Sequence, residues 1–176
     1  MHWRSFAAGF VASIGLHEAA HIGTAVAVGG RPSFGLDRGR PTVFSGIDAT
    51  AQPQRQFAFS AAGLTMQSIL DEVLLDTPPP RGRLQSSFDC GVLAGGIGTA
   101  MFYVTLGRSG SVSDIDFMAR TSTWSKDQVS LLFGGVALLH ALRIAHGGRY
   151  GELFARPDPR GGFRVGLDLK GAGSRR

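Results

Sequence analysis

His17, Glu18 and His21 stand inside a run from Phe6 to Val28 whose other residues are all apolar, small or hydroxyl-bearing. No other feature constrains the fold of this chain as strongly. As a helix rising about 1.5 Å per residue, the run is long enough to cross a hydrocarbon core of about 30 Å. Ionisable groups in the middle of such a span are costly to bury, so they must face other protein groups, water or an ion. Histidines at i and i+4 project from one face of a helix, so both imidazoles can reach the same ion. Glu18 follows the first histidine directly and can touch a water on that ion without becoming a ligand.

Three further segments are span-like. Phe57 to Leu75 is apolar until Asp71 and Glu72. Cys90 to Leu106 contains no charge. Val129 to Ala145 ends with His140 and Arg143. These segments predict a mainly α fold over residues 1–150, a polytopic membrane helix bundle of about four spans. Gly29 to Arg55 holds two short β-prone stretches, Pro32–Leu36 and Thr42–Ile47, and reads as a β-hairpin after the first span. Pro78-Pro79-Pro80 is a stiff break, and Gly107 to Ser125 is a polar connection. Residues 151–176 read as a basic Gly/Pro/Arg-rich tail, partly disordered. In it Phe163 to Leu169 alternates like a strand and Gly171 to Arg176 is disordered. Gly95, Gly96 and Gly98 are expected to let helices approach closely.

Composition supports this frame. Charged residues are 18% of the chain and apolar ones 43%, against about 25% charged in soluble domains. A mean hydropathy of +0.08 fits apolar spans mixed with polar loops. The net charge of +5 comes mainly from arginines in the breaks and the tail. That placement suits anionic headgroups of a lipid bilayer and argues against a nucleic-acid partner, which would need a continuous basic face. A single cysteine, Cys90, excludes an intrachain disulfide and any CxxC metal site.

The motif His17-Glu18-Ala19-Ala20-His21, followed by small residues and Gly29, resembles the site-2 protease family of intramembrane zinc metallopeptidases. Ala62-Gly63-Leu64-Thr65-Met66-Gln67 resembles that family's Ala-Gly-Pro-x-x-Asn element, with Leu64 in place of the proline and Gln67 in place of the Asn. The resemblance covers roughly residues 6–120. It implies Zn2+ held by His17, His21 and a later Asp, with Glu18 as the general base. It also implies that Gln67 contacts substrate or the oxyanion. The family's Asp lies on a later segment, and the stretch Ser111-Val112-Ser113-Asp114-Ile115-Asp116 occupies the corresponding place without the family's Asn, Pro and following Gly.

Asp114 and Asp116 cannot both be the third ligand. Two apart, they point about 200° from each other on a helix and share a face on a strand. Asp114 is favoured for its Ser-Asp context and Asp116 is the alternative. Glu72 and His140 are weaker rivals. The expected function is hydrolysis of a peptide bond in or beside the bilayer of a multi-pass protein of a bacterial inner membrane, acting on a membrane protein or peptide. Glu18 would take a proton from zinc-activated water and pass it to the leaving amine. The alternative is a catalytically inactive membrane binding or chaperone protein that keeps the fold. A soluble metal-binding domain is a third reading.

Overall fold

The computed structural model describes residues 2–37, 39–77, 86–109, 113–146, 152–159 and 161–168. Each of the four apolar segments forms a long helix: α1 (Trp3–Ala27), α2 (Pro53–Asp76), α3 (Ser87–Val104) and α5 (Lys126–Ala145). Their starts follow local chemistry. Pro53 opens α2, where its missing N–H costs nothing. Ser86 with Asp89, and Ser125 with Gln128, form reciprocal capping boxes on α3 and α5.

A hairpin, β1 (Ser33–Asp37) and β2 (Arg40–Phe44), follows α1, with Ser33 opposite Phe44. Its second strand begins two residues earlier than the β-prone stretch suggested and ends before Ser45. The expected polar connection after α3 is more ordered than its composition indicates. A 3-10 turn (Leu106–Ser109) leads to a seven-residue helix, α4 (Asp114–Arg120). Phe163–Asp168 forms the expected strand, here β4, and pairs antiparallel with β3 (Glu152–Pro157), a strand the sequence reading did not anticipate. The proline break at 78–80 and the end of the tail at 171–176 lie outside the described residues.

α1 packs most extensively on α3, and then on α2. Close approach is enforced by absent side chains. A Cβ on Gly9 would lie 2.1 Å from the Phe88 carbonyl oxygen, and one on Gly91 would lie 2.0 Å from that of Phe6. Gly95 faces Ser13 and Gly96 faces the Asp71 carboxylate, as expected of helix contacts, whereas Gly98 faces open space. One apolar cluster, with Leu64, Ala100, Ile115, Met118, Val129 and Phe133, joins α2, α3, α4 and α5. Ile115 and Met118 anchor the short α4 in it. A second cluster of Ala25, Val43 and Phe59, with Ile47 against it, holds the hairpin to α1 and α2.

Polar side chains share the interior with the apolar clusters, and apolar side chains also lie on helix surfaces. The interior holds Ser13, His17, His21, Gln56, Ser60, Gln67, Asp71, His140 and Arg143, while Val11, Val26, Ile69, Val73, Leu131 and Leu138 are exposed on helix surfaces. Among the described residues two helices, α3 and α5, are long and apolar enough to cross a membrane. The expectation of about four spans therefore meets that length-and-apolarity requirement in two helices. α1 and α2 reach the length but carry the polar groups named above.

Candidate metal centre

Residues Gly9, Ser13, His17, His21 and Ala25 form the buried stripe of α1, each four after the last. The stripe turns both imidazoles toward α2 and α4. His17 Nε2 and His21 Nε2 lie 3.1 Å apart, and Asp114 Oδ2 lies 3.4 Å from the first and 3.3 Å from the second. Gly63 on α2 makes room for them. A Cβ there would sit 2.5 Å from His17 Cε1 and Nε2 and 2.6 Å from His21 Nε2.

The second ring nitrogens fix the tautomers. His21 Nδ1 is 2.7 Å from the Phe59 carbonyl oxygen, which can only accept, so Nδ1 carries the proton. The Gln67 amide nitrogen faces Ser13, 3.1 Å from Oγ and 3.4 Å from the carbonyl. Because that carbonyl also only accepts, Gln67 presents Oε1 to His17 Nδ1, at 2.9 Å. Both Nδ1 atoms therefore donate, and both Nε2 atoms turn bare lone pairs inward. Asp114 Oδ2 is buried and has no hydrogen-bond partner. Two imidazole lone pairs and the Asp114 carboxylate thus converge, and their ligand atoms all lie within 4.8 Å of one another. That donor set suits Zn2+ with an open fourth position.

Glu18 is half-buried beside the cluster. It lines a cavity of about 360 Å³ together with His21, Asp114, Tyr103, Phe59 and residues 42–47 of the hairpin and its exit.

The two aspartates separate because they lie on a helix. Asp114, at the first position of α4, faces the histidines. Asp116 points away and pairs with Arg120 and Lys126. Glu72 and His140 also lie elsewhere, bound to each other at 2.8 Å. Arg143 joins them, at 2.6 Å from Glu72 and 2.5 Å from Asp76. Gln67, expected at the substrate, is buried with both ends of its amide engaged, and it orients His17. The sequence reading missed Ser13, the Phe59 carbonyl and Tyr103, whose ring stacks on His17 at 5.7 Å. Ser13 was legible as the residue four before His17 on the same face.

No protein-family model, curated protein or solved structure matches this chain.

Proposed function

We propose that the chain is a zinc-dependent endopeptidase embedded in a membrane, hydrolysing a peptide bond in or beside the bilayer. The observation that carries this reading is the convergence of His17 Nε2, His21 Nε2 and the orphaned Asp114 Oδ2, with Glu18 lining the same cavity as His21 and Asp114. Three lone pairs turned on one point repel one another unless a cation sits between them. When bound there, zinc supplies Lewis acidity and an acidified water.

The chain's own residues do the rest. Glu18 accepts the proton of the water that attacks the carbonyl carbon. As the C–N bond breaks it returns that proton to the departing amine. Gln67 and the Phe59 carbonyl hold the imidazole tautomers, a role whose loss typically costs 10–100-fold in metal affinity. Among the described residues β2 pairs with β1 alone, and Val43 and Phe44 line the same cavity as Glu18. An extended substrate adding to β2 would present its backbone to the centre.

The membrane part of the reading is supported by two span-competent helices and by the exposed apolar, buried polar arrangement. On this view α1 and α2 also cross the bilayer, making four spans, with their polar faces turned inward. The likeness of HEAAH to the site-2 protease motif supports the same assignment.

The test is metal analysis with activity on a membrane peptide. Purified protein is expected to hold about one zinc per chain, and Glu18→Gln to keep the zinc while losing cleavage. Zinc retained with no cleavage by wild type would favour the inactive binding protein. Absence of zinc would remove both the enzyme and its metal.

A further inference from the structure

We propose that Phe102, Tyr103 and Phe117 form an aromatic subsite beside the metal centre that takes a bulky apolar side chain next to the bond to be cut. The inference rests on the peptidase reading and adds to it the class of substrate residue. Two aromatic rings run outward from His17 in contact, and Phe117 lines the same cavity. Tyr103 stacks on His17 with planes 19° apart, and Phe102 meets Tyr103 edge-on at 5.8 Å. All three line the cavity that opens on Glu18, His21 and Asp114, together with Val43 and Ile47.

The rings reach the cavity surface. Phe102 is 39% exposed, and Tyr103 and Phe117 are half-buried. Arg120 lies over the Phe117 ring at 4.5 Å, which helps hold that ring in place. Among the described residues no lysine or arginine lines the cavity, and its carboxylates are Glu18 and Asp114. An acidic substrate side chain would meet the Glu18 and Asp114 carboxylates on the cavity wall, and the Arg120 guanidinium over Phe117 is already paired with Asp116, whereas a phenyl or branched aliphatic group would exchange water for ring contact. Side chains of an extended chain alternate in direction. A substrate lying along β2 therefore turns one side chain flanking the scissile bond toward this wall.

The experiment uses the full chain in detergent, loaded with Co2+ in place of zinc, and follows the visible absorption of the metal during titration. The probes are acetohydroxamate, 3-phenylpropionohydroxamate and the monohydroxamate of succinic acid. The phenyl probe is expected to bind about tenfold or more tighter than acetohydroxamate, as burial of a phenyl group implies. The carboxylate-bearing probe is expected to bind no tighter than acetohydroxamate. Phe102→Ala and Phe117→Ala should each reduce the phenyl preference severalfold and leave cobalt content and acetohydroxamate binding unchanged. A phenyl preference that is absent in wild type, or undiminished in both variants, overturns the subsite while leaving the metal centre standing. Failure of wild type to bind Co2+ overturns the metal centre and the subsite together. If Phe117→Ala loses cobalt, Phe102→Ala decides alone, because Phe102 lies outside the buried core.

Discussion

Gly63→Ala is the most incisive single substitution, because it adds one methyl group at the point where two ligand imidazoles meet α2. The new Cβ would lie 2.5 Å from His17 Nε2 and 2.6 Å from His21 Nε2, whereas ordinary van der Waals contact begins at 3.4 Å. Both rings must retreat by about 0.8–0.9 Å, taken from that difference, while metal–ligand distances tolerate about 0.2 Å. They cannot retreat freely, because Nδ1 of each is tied to Gln67 or to the Phe59 carbonyl. Misplacing second-sphere partners alone costs 10–100-fold in affinity. Displacing two ligands should therefore weaken zinc binding by about 100-fold or more. The assay is competition for zinc against a chromophoric chelator, with helicity followed by circular dichroism. Gly98→Ala is the control. Its Cβ would meet nothing within 4 Å, so it should keep wild-type affinity and gain up to about 1 kcal/mol of helix stability. Wild-type zinc affinity in Gly63→Ala would refute the reasoning.

Gln67→Leu removes the acceptor of the His17 Nδ1–H and should lower zinc affinity by about 10–100-fold. Gln67→Glu, which restores an acceptor, should recover much of it in the same competition assay. Asp116→Ala should retain metal stoichiometry and lose no more than about 1 kcal/mol of stability, since its partners are Arg120 and Lys126. Equal metal loss in Asp116→Ala and Asp114→Ala would contradict the geometry of α4. Arg143→Met removes the guanidinium from half-buried Glu72, which keeps His140, and from exposed Asp76. It should destabilise the bundle by about 1–3 kcal/mol, read as a fall in thermal midpoint, with zinc content intact in the folded fraction.

How much of this was legible in the sequence follows from the range of the interactions concerned. The four long helices and the histidine pair rest on local periodicity, and Phe6 to Val28 states both at once. The β1–β2 hairpin was signalled by Gly and Pro around β-prone stretches, though not its register. α4 was missed because seven residues carry too little periodicity. Only Ile115 and Met118, three apart and both buried, marked it. That miss left the choice between Asp114 and Asp116 open, because the two-residue spacing has opposite meanings on a helix and on a strand. Gln67 was singled out by its place in a motif, but its task depends on Ser13, 54 residues away. The polar lining of α2 and α5 was visible as Asp71, Glu72, His140 and Arg143, yet nothing local said that they pair with each other. The strand β3, and with it the partner of β4, escaped notice because Glu152–Pro157 alternates weakly and ends in proline.

The central claim is that one zinc ion is held by His17, His21 and Asp114. X-ray absorption at the zinc edge, with metal content measured on the same samples, tests it directly. Wild type is expected to hold about one zinc per chain, with nitrogen and oxygen donors at about 2.0–2.2 Å and no sulfur. His17→Ala, His21→Ala and Asp114→Ala should each lose it, and Asp116→Ala should not. A wild-type protein purified with zinc present that holds no metal, or one whose zinc survives Asp114→Ala with an unchanged spectrum, would contradict the claim.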